Sequence, residues 1–241
     1  LLNGKEEKSM KKIVVLSGKS LLAVVVMGGL FGFLAYAADE KTDAKGDLAP
    51  LEIKLPQPSL VGTPLDYWSE RLEVTFKKRP PFMAPKGVTN VALGKSVTAS
   101  AKPTLGKLEM ITDGDKEAKD ESLVELPEGT QYVQIDLGAP HEIYAIVVWH
   151  FHAGERVYFD VICRTADDPD FTQNVTTLYN NDHDNTSKLG AGTDKEYIDN
   201  YEGRLIDAKG TKARYVRLYS NGNTTDDKNH YLEVEVYGRP L

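Results

Sequence analysis

Two short stretches carry the residues most able to do chemistry. "MITDGDKEAKDES", Met110 to Ser122, sets five carboxylates in thirteen residues, at Asp113, Asp115, Glu117, Asp120 and Glu121. That density of oxygen suits a hard cation such as calcium, which takes about six to eight oxygens in irregular geometry. It suits a water-facing loop equally well. An EF-hand is excluded, because Gly114 falls at the second loop position rather than the sixth and the twelfth is Val124. In "WHFHAGER", Trp149 to Arg156, His150 and His152 lie two apart. On a strand they would share one face, with Trp149 and Phe151 on the other. Planar hydrogen-bond donors beside an aromatic face are what a sugar site needs. The competing reading is that Trp149 fills the core and the histidines cap a loop.

Further polar groups are spread over two loops. "YNNDHDN", Tyr179 to Asn185, is too rich in Asn and Asp for a strand. Asn181 and His183 from it are candidates to reach the same rim as His150. His183, flanked by Asp182 and Asp184, joins the His150–His152 pair in a transition-metal alternative, since imidazoles and carboxylates suit zinc or copper. A turn whose side chains cap backbone amides is the simpler account. "YSNGNTTDDKNHY", Tyr219 to Tyr231, offers Asn221, Asn223, Asn229 and His230 as sugar contacts, although Asn-Gly is also an ordinary turn. Asn174, Asn185 and Asn223 each begin an Asn-x-Ser/Thr sequon, which matters only in a eukaryotic secretory pathway.

The elements that position these groups are strands. From Asn90 onward, apolar residues alternate with polar ones between turn residues. In "YVQIDLG", Val133, Ile135 and Leu137 share one face. "HEIYAIVVW" reads as a more fully buried run, and "VYFDVICRT", "ARYVRLYS" and "HYLEVEVYG" alternate again. The pattern implies an all-β fold, an antiparallel sandwich or jelly roll. Cys163 is the lone cysteine, so no disulfide staples the chain, and its alternation with Val161 and Phe159 predicts a buried, inert thiol.

Before this domain, residues 51–89 hold six prolines and so should be extended rather than helical. Leu51, Ile53, Leu55, Leu60, Val61, Tyr67, Trp68 and Phe76 make the stretch too apolar for a free linker. Parts of it should lie on the domain, with Tyr67 and Trp68 as docking anchors rather than ligand aromatics. Residues 38–50 read as a flexible charged leader. Met10, Lys11 and Lys12, an apolar run over residues 21–37, and the small-x-small end Ala35-Tyr36-Ala37 read as a signal peptide cleaved before Ala38, with residues 1–9 an upstream extension. An uncleaved membrane anchor is the alternative, the only route to a membrane. Cleavage would remove five lysines and two glutamates, a loss of three positive charges that takes the net charge from −7 to −10. A nucleic-acid partner needs a basic footprint and is therefore excluded.

Three stretches carry a family resemblance. "NVALGKSVTAS" at 90–100, "ITDGD" with "YVQIDLGAPHEIYAIVV", and "ARYVRLYSNGN" with "NHYLEVEVYG" resemble, in order and spacing, the discoidin or coagulation-factor type C family. The resemblance covers residues 90–238 and implies a galactose-binding-like jelly roll, a fold whose members include family 32 carbohydrate-binding modules and fucose-binding lectins. It also implies a structural calcium beside the Asp-Gly turn. Asp113 would supply a carboxylate, Met110 and Asp115 backbone carbonyls, Ser122 further oxygen, Glu233 the closing carboxylate and Leu232 its carbonyl. Glu117, Asp120 and Glu121 would be solvated. In the fucose-binding lectins a histidine and two arginines of this region grip sugar hydroxyls. Arg156 matches one of those arginines, while no arginine stands at 149–152.

No nucleophile elbow, metalloprotease helix or phosphate loop occurs. A glycosidase needs two carboxylates across a cleft, and a lone jelly roll offers no second wall. The expectation is an exported, non-catalytic carbohydrate-binding module, secreted, periplasmic or on the cell envelope. The alternatives are docking onto another envelope protein and, less favoured, a metalloenzyme built on His150, His152 and His183.

Overall fold

The computed structural model describes residues 47–58, 67–73 and 77–241. Residues 1–37, read above as a signal peptide with an upstream extension, most of the leader, and Leu60, Val61 and Phe76 of the arm lie outside the described residues. Thirteen strands occur among those described. The arm and its junction contribute β1 (Leu48–Pro50), β2 (Leu72–Glu73), β3 (Met83–Pro85) and β4 (Thr89–Asn90). The domain contributes β5 (Ser96–Ala99), β6 (Val124–Leu126), β7 (Gln131–Trp149), β8 (Ile162–Ala166), β9 (Thr176–Asn180), β10 (Glu196–Tyr197), β11 (Arg204–Ser220), β12 (Asn229–Tyr231) and β13 (Glu233–Pro240). Two 3-10 turns, Leu108–Thr112 and Asp120–Ser122, bracket the acidic loop.

β7 and β11 are long because each serves two sheet halves. The end of β7 near Val133 pairs with β5, its other end pairs with β13, and β11 follows it antiparallel along its whole length. Register shifts in β11 at Asp207/Thr211 and Ala213/Tyr215 mark where the ladder bends. β8 and β9 extend one half beyond β11, and β4 closes the other on β13. The result is the antiparallel jelly roll that the alternation implies.

Burial follows the pattern residue by residue. Val133, Ile135 and Leu137 point into the main core with Val216, Leu218, Val234 and Val236. The run "AIVVW" is apolar throughout because both of its faces are covered. Ile146 and Val148 enter the main core, whereas Ala145, Val147 and Trp149 form a second cluster on the far side. The arm covers that second face. Leu51, Ile53, Leu55, Phe82 and Val88 pack there, each part-buried, which contributes on the order of 1 kcal/mol apiece.

No helix occurs among the described arm residues, and two findings differ from expectation. The leader's last residues are ordered: Leu48–Pro50 pairs antiparallel with Met83–Pro85, and Lys86 meets Asp47 in an ion pair. Second, the two arm aromatics part company. Tyr67 anchors the arm, its hydroxyl donating to Glu196 Oε2 at 2.6 Å and its ring tilted on Phe159 at 5.7 Å. Trp68 is 79% exposed and anchors nothing. Cys163 is fully buried, and burial pushes its thiol up to about 12.

Candidate functional site

The acidic loop is fixed from both sides of the sandwich. Gly94 N–H donates to Thr112 O at 2.6 Å, and Thr112 Oγ1 donates to Lys95 O at 2.8 Å, so the turn's entry is tied to the start of β5. Gly114, with φ at +91°, turns the chain so that its N–H reaches Glu233 Oε2 at 3.1 Å, 119 residues away. Asp113 Oδ1 accepts from Asp115 N–H at 2.8 Å, and Asp115 Oδ2 accepts from Ser122 Oγ at 2.8 Å. Asp113, Asp115, Ser122 and Glu233 are therefore linked around one turn, although the carboxylate oxygens of Asp113, Asp115 and Glu233 do not all come within 4.8 Å of one another. Met110 sits in the 3-10 turn that opens it, and Leu232 immediately precedes Glu233.

Glu233 is the unusual member. It is 0% exposed, and its Oε1 has no hydrogen-bond partner. Burial, joined by the charges of Glu235 and Asp113, raises its carboxyl to about 9 despite the Gly114 hydrogen bond. A buried carboxylate with a free oxygen is costly unless a cation or proton meets it. The Lys116 charge lowers the Glu233 pKa only in part, because its ammonium pairs with Glu235 and lies 4.7 Å above the Trp149 ring, and it makes no hydrogen bond to Glu233 Oε1. Glu117 has a structural task instead of being merely solvated: its carboxylate accepts from Gln57 N–H at 3.2 and 3.3 Å, holding the arm. Asp120 and Glu121 are exposed.

The histidine stretch corrects the sequence reading. β7 ends at Trp149, so His150 and His152 do not share a strand face. Trp149 is 0% exposed, its indole N–H donating to Tyr201 O at 3.0 Å. His150 is fully buried beneath the following loop. Its Nδ1 donates to Asp199 Oδ2 at 2.8 Å, and its ring stacks on Tyr158 at 4.3 Å. His152 is buried as well and donates from Nε2 to Lys116 O at 3.0 Å. Neither imidazole is presented at a surface, so direct sugar contact by either is overturned. Asn181 is corrected for the same reason: it is buried, with Oδ1 accepting from Val161 N–H at 2.6 Å.

Arg156 does reach the surface, with 17% of its side chain exposed. Its Nη1 donates to Asp226 Oδ2 at 3.2 Å and to His230 Nδ1 at 3.1 Å, and its guanidinium lies 5.1 Å from the Phe151 ring centre. His230 Nδ1 also accepts from the Tyr158 hydroxyl at 3.1 Å, while Nε2 donates to Glu125 Oε2 at 3.3 Å. Burial lowers the pKa of His230, which keeps its ring neutral and able to accept from Arg156. His150, Tyr158, His230 and Arg156 thus form one chain of contacts in which three members are buried and hold the fourth. The sequence offers His230 as a sugar contact and Asp226 only as part of the hairpin loop; no local signal ties either to Arg156, 74 and 70 residues away.

The polar loop after β9 satisfies itself. Asp182, fully buried, accepts from Thr186 N–H, Ser187 N–H and the Ser187 hydroxyl. His183 is part-exposed and donates from Nδ1 to Gly192 O at 3.2 Å. Among the described residues one group of three, Asp160, Asp182 and Asp184, brings metal-ligating atoms within 4.8 Å of each other, and it contains no histidine. The convergence of His150, His152 and His183 that a metalloenzyme would need is therefore not met. A groove of about 800 Å³ opens between Gly94–Val97 and Lys102–Leu108, next to the acidic loop and away from the histidines.

No family model and no curated protein matches the chain. Solved structures do. A family 89 glycoside hydrolase from Clostridium perfringens is 17% identical over 63% of this chain, with a TM-score of 0.47, and the match spans 15% of that enzyme. A fucose-binding module from Streptococcus pneumoniae is 21% identical, covering 62% of this chain and 97% of its own, with a TM-score of 0.44. A chitosan-binding module of a Paenibacillus chitosanase/glucanase is 21% identical, covering 62% and 99%, also at 0.44. At that level the functional reading rests on the chain's own residues.

Proposed function

We propose that the chain is an exported, non-catalytic module that binds carbohydrate at the loop end of the jelly roll, around Arg156. The observation that carries this reading is the presentation of Arg156. A part-exposed guanidinium held by Asp226, His230 and the Phe151 ring, with Nη1 engaged and Nε buried, offers its Nη2 as a preorganised donor beside an aromatic face. Such a group binds vicinal hydroxyls without first losing side-chain entropy. His150 and His152 support it from beneath or stay in the core, and His183 is part-exposed with Nδ1 engaged by Gly192 O and Nε2 buried. Export rests on the apolar run and the small-residue end of residues 10–37. A glycan array probed with the full chain and with Arg156→Ala tests the reading. The wild type should bind and the variant should lose about tenfold or more in affinity, a cost of roughly 1.4 kcal/mol.

The acidic loop is proposed as a structural calcium site. The carboxylates of Asp113 and Glu233, the Ser122 oxygen and the backbone carbonyls of Met110, Asp115 and Leu232 would hold the ion. The unpartnered buried oxygen of Glu233 supports this, since calcium would supply its missing partner and keep the carboxylate ionised. The ion would tie the first loop to the last strand.

A docking role on another envelope protein is the second reading. It is favoured by one feature, the exposure of Leu48 and Met83, at 53% and 48%, on the paired strands β1 and β3. Loss of envelope retention in a Leu48→Ser/Met83→Ser variant with normal glycan binding would support it.

A further inference from the structure

Trp68 is the most exposed large apolar side chain among the described residues, at 79%. Exposing an indole is expensive, and loose chain usually avoids it by turning the ring inward. The segment that carries Trp68 is not loose. Tyr67 is held by Glu196 and Phe159. β2 pairs with β10, Glu73 Oε2 accepts from Arg204 at 2.7 Å, and Lys195 Nζ donates to Glu70 O at 3.1 Å. Two adjacent residues are thus split: one is fastened to the domain and its neighbour is kept in water. The fastening point is the β7–β8 loop, because Phe159 lies three residues beyond Arg156 in the same loop.

We infer that Trp68 is a stacking platform, supplied by the arm, for the apolar C–H face of a pyranose ring bound at the loop end. This rests on the carbohydrate reading above and adds to it a residue from outside the jelly roll. A sugar fits better than a protein partner for a reason visible in the surroundings. A protein interface is built on a contiguous apolar patch, yet among the described residues the other exposed large apolar ones, Leu48, Met83, Leu93, Leu105 and Leu241, lie on other parts of the chain. Trp68 is followed instead by Ser69, Glu70 and Arg71. An exposed flat ring followed by hydrogen-bonding groups is the environment that a sugar, apolar on one face and polar at its edge, requires.

The two tryptophans make a direct test. Trp149 is buried, so solvent quenching of emission reports Trp68. The full chain is titrated with the methyl glycosides of galactose, fucose and N-acetylglucosamine and with the hits of the glycan array, while acrylamide quenching and emission maximum are followed. The expected result is protection from acrylamide and a blue shift on binding. In Trp68→Ala both signals vanish and affinity drops about tenfold or more, with Trp149 emission unchanged as the control for folding. Trp68→Phe should retain part of the affinity. Glycan binding that leaves Trp68 as quenchable as before, or that survives in Trp68→Ala, overturns this inference and leaves the carbohydrate reading standing. Binding of no glycan at all overturns both. Shielding of Trp68 by raised protein concentration without glycan would assign the ring to self-association and also overturn the inference.

Discussion

The two tryptophans divide the molecule. Trp149 ends β7 with its ring buried, its N–H satisfied by Tyr201 and an ammonium above its face. Trp68 sits on a short segment pinned on either side and meets water. The same side chain is structural in the domain and available on the arm. The difference is set by what covers each: two packed faces in one case, none in the other. The polar groups divide in the same way. His150 and His152 look like ligand residues and are scaffold, whereas Arg156 is held at the surface by other residues' side chains.

Substitution separates the buried ring from the exposed one. The largest effect should come from Trp149→Ala, which leaves a cavity in the second core and should cost about 3–5 kcal/mol in denaturant melts. Gly203→Ala should approach it, because a Cβ there would stand 2.7 Å from the Trp149 ring at a φ of +65°. Next comes calcium. Chelation should lower the melting temperature, and calcium at a hundred times its dissociation constant should restore roughly 2.7 kcal/mol. Asp113→Ala or Glu233→Ala should abolish that response, and Asp120→Ala should leave it. An unchanged wild-type melt in metal-stripped buffer would make the loop a solvated turn.

Smaller effects should follow on the arm. Tyr67→Phe removes the hydrogen bond to Glu196 and should cost about 1 kcal/mol while raising proteolysis between the arm and the domain. Smallest of all, Trp68→Ala should stay within about 0.5 kcal/mol of wild type in stability. A larger loss would mean that Trp68 is an anchor like its neighbour.

Much of this was legible in the sequence. The jelly roll follows from alternation, because Val133, Ile135 and Leu137 can share a face only on a strand. The continuous run Ala145 to Trp149 announced burial on both sides without saying that the arm supplies the second cover. The site was harder to read, since residue type does not report depth. His150 has the chemistry of a ligand and the burial of a core residue, and the strand's end at Trp149 broke the parity that grouped it with His152. Arg156 was found by type, but its partners Asp226 and His230 come from a loop that only the folded chain brings near. Trp68 was placed among the anchors because exposure of one of two neighbouring aromatics leaves no mark in composition.

Whether Arg156 meets carbohydrate is decided by calorimetric titration of the full chain and of Arg156→Ala and Arg156→Lys with the strongest ligand from the glycan array. Saturable binding by the wild type is expected, with loss of about tenfold or more in Arg156→Ala and only partial recovery in Arg156→Lys, because an ammonium cannot reproduce the planar guanidinium. Equal affinity in all three proteins, with melts unchanged, would contradict that expectation.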